Sequence, residues 1–256
     1  MIFGRKKQQA TPSEPEDIDD ELDDTETDDA DLDDEDEDDP DLAGESLDDD
    51  EDVYDDDHED AIDEWVAYDE SQDWREDGPF DISEVDLEGD DISRLDLGSL
   101  IVTPEEGMQL QIIADAESGN GLALVLGLNG SAMQIEVKAA PNSGGFAADI
   151  RGDIMDETRA AGGRTELAKG PYGTELRRVV QVDGADGEDA FAPMRDWLVE
   201  GPRWLLVARL MGEAAIDVEG DGASEIFDEA FRNLIVRRGD DPMAPGQTVP
   251  IRVPEG

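Results

Sequence analysis

The chain has 256 residues, no cysteine, one histidine and a formal net charge of −53 at pH 7. The missing thiols exclude disulfides, thiolate nucleophiles, zinc fingers and iron–sulfur clusters. The single histidine, His58, sits between acidic runs, which excludes a Ser-His-Asp arrangement in the domain that follows and any site with two histidine ligands.

The charge is uneven. Residues 1–78 carry 38 acidic and 4 basic residues, a net of −34, and residues 79–256 carry the other 34 and 15, a net of −19. Residues 1–60 are acidic low-complexity sequence with scattered aliphatics (Ile18, Leu22, Leu32). Their few apolar groups cannot offset the entropy of ordering, which predicts a disordered tail. Composition shifts at Ala61. Ile62, Trp65 and Val66 fall at i, i+3 and i+4, the spacing of one helix face, so residues 61–78 read as a linker with a short docking helix. Three readings of that segment stay open: a partner-binding helix, a segment that folds back on its own domain, and plain disorder. Gly78-Pro79 marks the boundary.

Residues 79–239 are long enough for one domain with its own core. Residues 95–102 predict a first strand, and 108–113 alternate as a half-buried strand does. Residues 121–128 and 131–139 flank Asn129-Gly130, the signature of a two-residue hairpin whose turn needs positive φ at both positions. Residues 141–163 predict a helix on the four-residue repeat of Phe146, Ile150 and Ile154. Ser143 is placed to cap its start and Gly162-Gly163 to end it. Its "NSGGF" opening reads as an ordinary cap, with anion binding on free N–H groups as the alternative. Four further strands follow, around Gly170-Pro171 and around Glu200-Gly201-Pro202. Trp204 reads as core, in a strand apolar on both faces. A last helix near 223–236 carries the stripe Ile226, Phe227, Ala230, Phe231 and Leu234. Residues 240–256 form a Pro-rich segment expected to run extended over the surface. The fold class is α+β: a mostly antiparallel sheet of about six to eight strands with two main helices packed on it, preceded by the acidic tail.

Several strings bring a family into view: "MIFGRKK", "GPFDISEVDL", "RLDLGSL", "GPYGTELRR", "EGPRWLL" and "RRGDDPMAPG". Their order resembles the actinobacterial family catalogued as domain of unknown function 3710, over about residues 78–254 and the first seven. The resemblance implies a cytoplasmic bacterial protein with an acidic N-terminal extension, and it supplies no catalytic residue. Separately, the order of elements looks like the αβα sandwich of the photosystem II extrinsic proteins and the Ran-binding import factor. That is likeness of fold and carries no function.

The candidate chemistry is sparse. "DVEGDGASEIFD" puts Asp217, Glu219, Asp221 and Asp228 at the carboxylate positions of a calcium loop. Its last ligand is shorter than the usual Glu, and the segment before it reads as a strand end. An acidic turn that starts the last helix accounts for the same residues. No catalytic residue and no cofactor are expected. Direct nucleic-acid binding is disfavoured for want of a basic surface, and no apolar run approaches the roughly 20 residues of a membrane span. The start has no apolar stretch after its basic residues and does not read as a secretory signal. The expectation is a cytoplasmic, non-enzymatic interaction module. Its partner is a protein, one with a basic surface if the tail engages it, and Ile62, Trp65 and Val66 are the docking candidates. Two alternatives are a small-molecule or divalent-metal binding domain using carboxylate loops, and a nucleic-acid-mimicking tail that engages basic proteins.

Overall fold

The structure, a computed structural model, describes residues 64–89, 91–183, 189–220 and 222–252. The acidic tail with His58, the docking candidate Ile62, the loop candidate Asp221 and most of the acidic stretch 183–189 lie outside these residues.

Alternating sequences build the main sheet. Strands β4 (Gln109–Ala114), β5 (Gly121–Leu128), β6 (Ser131–Ala139), β7 (Arg164–Gly170), β8 (Gly173–Asp183), β9 (Asp189–Gly201) and β10 (Trp204–Met211) pair antiparallel in the order β4-β5-β6-β10-β9-β8-β7. The β5–β6 hairpin turns at Asn129 and Gly130, both at positive φ, with Leu128 opposite Ser131. In β6, Met133, Ile135, Val137 and Ala139 are buried, and the residues between them are half-buried. Strand β10 sits in the middle, and its apolar run Trp204–Ala208 is buried on both faces.

The two faces carry different layers. On one face, Leu198, Leu205 and Val207 meet Phe146, Ala147, Ile150 and Ile154 of helix α2 (Phe146–Ala160). The other face holds the larger core. There Met133, Ile135, Val137, Trp197, Leu206 and Leu210 pack under Phe227, Ala230 and Phe231 of helix α4 (Glu225–Arg232). A small sheet shares that layer. It consists of β1 (Phe80–Asp81), β11 (Ile235–Val236), β3 (Leu100–Val102) and β2 (Leu95–Asp96), in the order β1-β11-β3-β2, with β1 parallel to β11. Helix α3 (Glu213–Ile216) buries Ala214 beside it. The result is helix, sheet, then helix with small sheet. Trp204 is fully buried, and its indole N–H donates to Asp81 Oδ2 at 2.8 Å, which ties the start of the domain to its central strand.

Several local readings are corrected. Residues 95–102 are not one strand. Gly98 at φ +82° reverses the chain, so β2 pairs back onto β3. Helix α2 starts at Phe146, behind Gly145 in the left-handed region, and Ser143 does not cap it. The segment before the acidic turn, residues 210–216, does close strand β10 at Met211, but it then adds helix α3 after Gly212. The last helix stops at Arg232, and Ile235 and Val236 turn into β11. Ile226 lies off the stripe and is exposed, because the buried positions are 227, 230, 231 and 234, the i, i+3, i+4, i+7 pattern. The described part of the C-terminal segment, residues 240–252, is extended and mostly exposed, but two of its side chains turn inward. Val249 and Ile251 are buried, and Ile251 exchanges backbone hydrogen bonds with Gly121.

Buried charge is paired across the sheet. Asp196, fully buried, accepts from Arg178 and from Arg209 at 2.9 Å, and Arg178 also reaches Thr158 of α2. On the opposite face Glu175 accepts from Arg195 at 2.7 Å, Arg177 at 2.8 Å and the Trp197 indole at 2.7 Å. Burial pushes the Glu175 carboxyl up, but these donors, Arg195 foremost, outweigh it and hold the carboxyl below its usual value. Its contribution to stability is therefore present above the unfolded-state pKa and lost as pH falls through the lower folded one. Replacing Glu175 by Gln leaves Arg195 without a counter-charge and is expected to cost about 3 kcal/mol at pH 7. In urea denaturation the gap between wild type and variant should shrink below about pH 4.5. A gap that is unchanged from pH 7 to pH 3 would contradict this pairing.

Candidate functional site

Residues 64–75 fold back on the domain. Residues 64–69 form helix α1. Trp65 meets Tyr68 edge-on at 6.1 Å, and Tyr68 meets Trp74 at 4.8 Å. The Trp74 indole N–H donates to the Asp69 carbonyl at 3.1 Å, closing the open end of the helix. Lys169 of β7 lies 5.1 Å above the Tyr68 ring. Arg75 then continues the anchoring, forking onto Glu84 and stacking 5.5 Å from Trp204.

The strongest anchor is Asp69. Its Oδ2 accepts from Arg151 of α2 at 2.6 Å, and its Oδ1 accepts from the backbone N–H of Thr174 at 2.6 Å. Arg151, buried, also donates to the Thr174 carbonyl at 2.7 Å. The β8–β9 ladder starts at Leu176 opposite Asp196, so Thr174 lies beyond it. The Asp69–Arg151 pair thus satisfies both backbone groups of Thr174, as a neighbouring strand would. Gly173, at φ +91°, makes room for it, because a Cβ there would stand 2.8 Å from Asp69 Oδ1.

Between this folded-back segment, the start of α2 and the end of β9 lies a cleft of about 680 Å³. Ala147, Ala148, Leu198 and Val199 contribute apolar lining, with Val66 and Trp74 from the junction. Glu70, Asp73, Asp149 and Glu200 give the lining a negative character. Glu200 accepts from the Ala147 N–H, so a carboxylate of the chain itself occupies the first turn of α2, where a negative charge is favoured. That removes the anion-binding reading of the "NSGGF" opening. Tyr172 borders the same cleft. Its ring packs 5.3 Å from Trp197 and 4.9 Å from Phe231, and its hydroxyl donates to Asp228 Oδ1 at 2.6 Å. Burial, then the Asp228 charge, push the phenol well above its usual value, so it stays protonated and serves as a donor.

The other sequence candidates fall elsewhere. Asp217 closes its own loop, accepting from the N–H groups of Ser224 at 2.8 Å, Gly222 at 3.0 Å and Gly220 at 3.3 Å. The Ser224 N–H first, joined by the Ser224 hydroxyl and the two glycine N–H groups, outweighs desolvation and holds its carboxyl below the usual range. Asp228 is engaged by Tyr172 and by Arg232. Glu219 is exposed. Among the described residues no group of three or more acidic or histidine side chains is placed to hold a metal ion. Trp65 is half-buried in the ring stack, and Val66 is exposed beside the cleft. Sequence reasoning missed Asp69, Arg151 and Glu200. Arg151 did carry a signal: Ala147, Arg151, Ile154 and Thr158 lie at i, i+4, i+7 and i+11, on the buried face of α2.

Among the described residues no helix is long and apolar enough to cross a membrane. Among curated proteins none matches the chain. Among solved structures it is similar to the solution structure of cyanobacterial PsbP (CyanoP) from Synechocystis sp. PCC 6803. That likeness has 13% identity and a TM-score of 0.34, over 57% of this chain and 92% of that one. The model of the family described as "Protein of unknown function (DUF3710)" matches residues 78–256, most of the chain, and the chain belongs to that family.

Proposed function

We propose that the protein is a non-enzymatic binding module of the cytoplasm. Its cleft takes a protein segment that presents aliphatic side chains beside a basic residue. The observation that carries this reading is the cleft itself, with an apolar lining and carboxylates of Glu70, Asp73 and Asp149 at hand. Among the described residues Arg75 is the one basic side chain lining it, and that guanidinium is committed to Glu84 and to the Pro79 carbonyl. The charge around the cleft therefore complements a cation. Trp65 and Val66 serve the partner from the junction helix. The acidic tail raises the encounter rate with basic partners through long-range attraction, an effect that weakens with salt.

A synthetic peptide of alternating leucine and lysine is a direct probe. Added to the full-length protein, it should shift the amide resonances of residues 66–75, 145–149 and 198–200 in a saturable way. Ala148→Trp, which fills the cleft, should weaken binding by roughly tenfold or more, about the worth of one lost apolar side chain, with the melting temperature little changed. Shifts confined to the acidic tail, or a variant that binds as well as wild type, would remove the cleft from the account.

The cleft exists only while the junction is docked. Asp69→Ala is expected to cost about 2 kcal/mol in urea denaturation, since it removes two bonds involving a charged group. It should also reduce peptide binding. Full peptide affinity in this variant would show that the folded-back segment is not part of the site.

A further inference from the structure

A second cavity, of about 430 Å³, is lined by Arg203, Arg237 and Arg238, with Pro202, Asp81 and Asp240 among its other walls. Three converging guanidinium groups are unexpected in a domain whose sequence carries a net charge of −19. Their partners differ. Arg237 is committed, donating to both oxygens of Asp96 and to the Gly98 carbonyl at 2.9 Å. Arg238 is only 8% exposed, and its Nε and Nη1 meet no hydrogen-bond acceptor among the described residues. The other two buried arginines, Arg151 and Arg195, are each paired with a carboxylate and a backbone carbonyl. Leaving a buried guanidinium without an acceptor is costly.

The Arg203 position adds a separate observation. Gly201 and Trp204 close the β9–β10 hairpin, which leaves Pro202 and Arg203 as its two turn residues. Arg203 is at φ +62°, at the position of such a turn where glycine fits without steric cost. An arginine there is explained by its side chain rather than by the backbone. Burial and the neighbouring Arg203 charge make Arg238 a weaker base than usual, with the Asp241 charge opposing them. The two guanidinium groups therefore act on each other across the cavity.

We propose that this cavity binds the oxyanion group of a small molecule, a phosphate ester or a carboxylate, held chiefly by Arg238 and Arg203. Both groups present oxygens that match the donor geometry of guanidinium, and the bound charge would relieve the repulsion between the two arginines. The volume is within the range of small-molecule pockets. This site is independent of the peptide cleft and stands or falls separately.

The test uses the full-length protein with 15N-labelled arginine, titrated with inorganic phosphate and, in a second arm, with acetate at constant ionic strength. The Arg238 Nε–H resonance should move in a saturable way in at least one arm. Saturation by phosphate alone assigns a phosphate-bearing ligand, and saturation by acetate alone assigns a carboxylate. Arg203→Met, at the turn, and Arg238→Met, in the interior, should each weaken binding by roughly tenfold or more. Arg159→Met, on the exposed face of α2, should leave it unchanged. The Arg203 variant keeps the test decisive if the interior variant unfolds. No saturation in either arm, or equal weakening by Arg159→Met, would overturn the proposal.

Discussion

Thr174 stands where the β8–β9 ladder has ended, and its backbone groups would otherwise be left without partners. The Asp69–Arg151 ion pair takes both of them, the carboxylate accepting from the N–H and the guanidinium donating to the carbonyl. One pair of side chains thus completes the sheet, fastens α2 to it and holds the junction segment in place. The apolar cleft is a consequence of that closure, because Trp74 and Val66 form part of its wall only while α1 is docked.

The same device recurs inside the domain. Arginine and carboxylate meet across neighbouring strands on both faces of the sheet: Arg178 and Arg209 around Asp196 on the α2 side, Arg195 onto Glu175 on the other, where Arg177 joins from the same strand as Glu175. Arg195 also donates to the carbonyls of Ala214 and Asp217, which binds the α3 turn to the sheet. A chain this acidic repels itself, and each buried pair converts part of its charge into cross-strand structure. Such pairs offer little net stability against an apolar replacement, but breaking one partner is expensive. They fix which strands meet and in what register. Arg238 does not fit this pattern, which makes its cavity the place where an acceptor from outside the chain is expected.

Much of the fold was legible where the physics is local. Period-two alternation gave β6, and Asn129-Gly130 gave its hairpin, because positive φ at two successive residues is a property of the turn itself. The four-residue spacing of Phe146, Ile150 and Ile154 gave α2. What escaped the sequence was supplied from a distance. Glu200 serves the start of α2 from strand β9, 53 residues away in the chain, so no local capping residue was needed and the predicted start was several residues early. Gly98 divides a run that reads as continuous because the small sheet needs both halves as separate strands. Val249 and Ile251 appeared to belong to a surface segment, since their burial depends on backbone bonds to Gly121 and Val137 far back in the chain. The site was half visible: the aromatic junction could be seen, but the Asp69–Arg151 pair spans 82 residues and no pattern at either end announces the other.

The central claim is that Asp69 and Arg151 act together as the missing strand neighbour of Thr174. Amide hydrogen exchange at Thr174 in the full-length wild-type protein tests it most directly, because that N–H has Asp69 as its acceptor. The account predicts slow exchange, comparable with the interior of β8, and fast exchange in Asp69→Ala while Leu176 stays protected. Fast exchange at Thr174 in the wild type, or protection that survives the loss of Asp69, would contradict it.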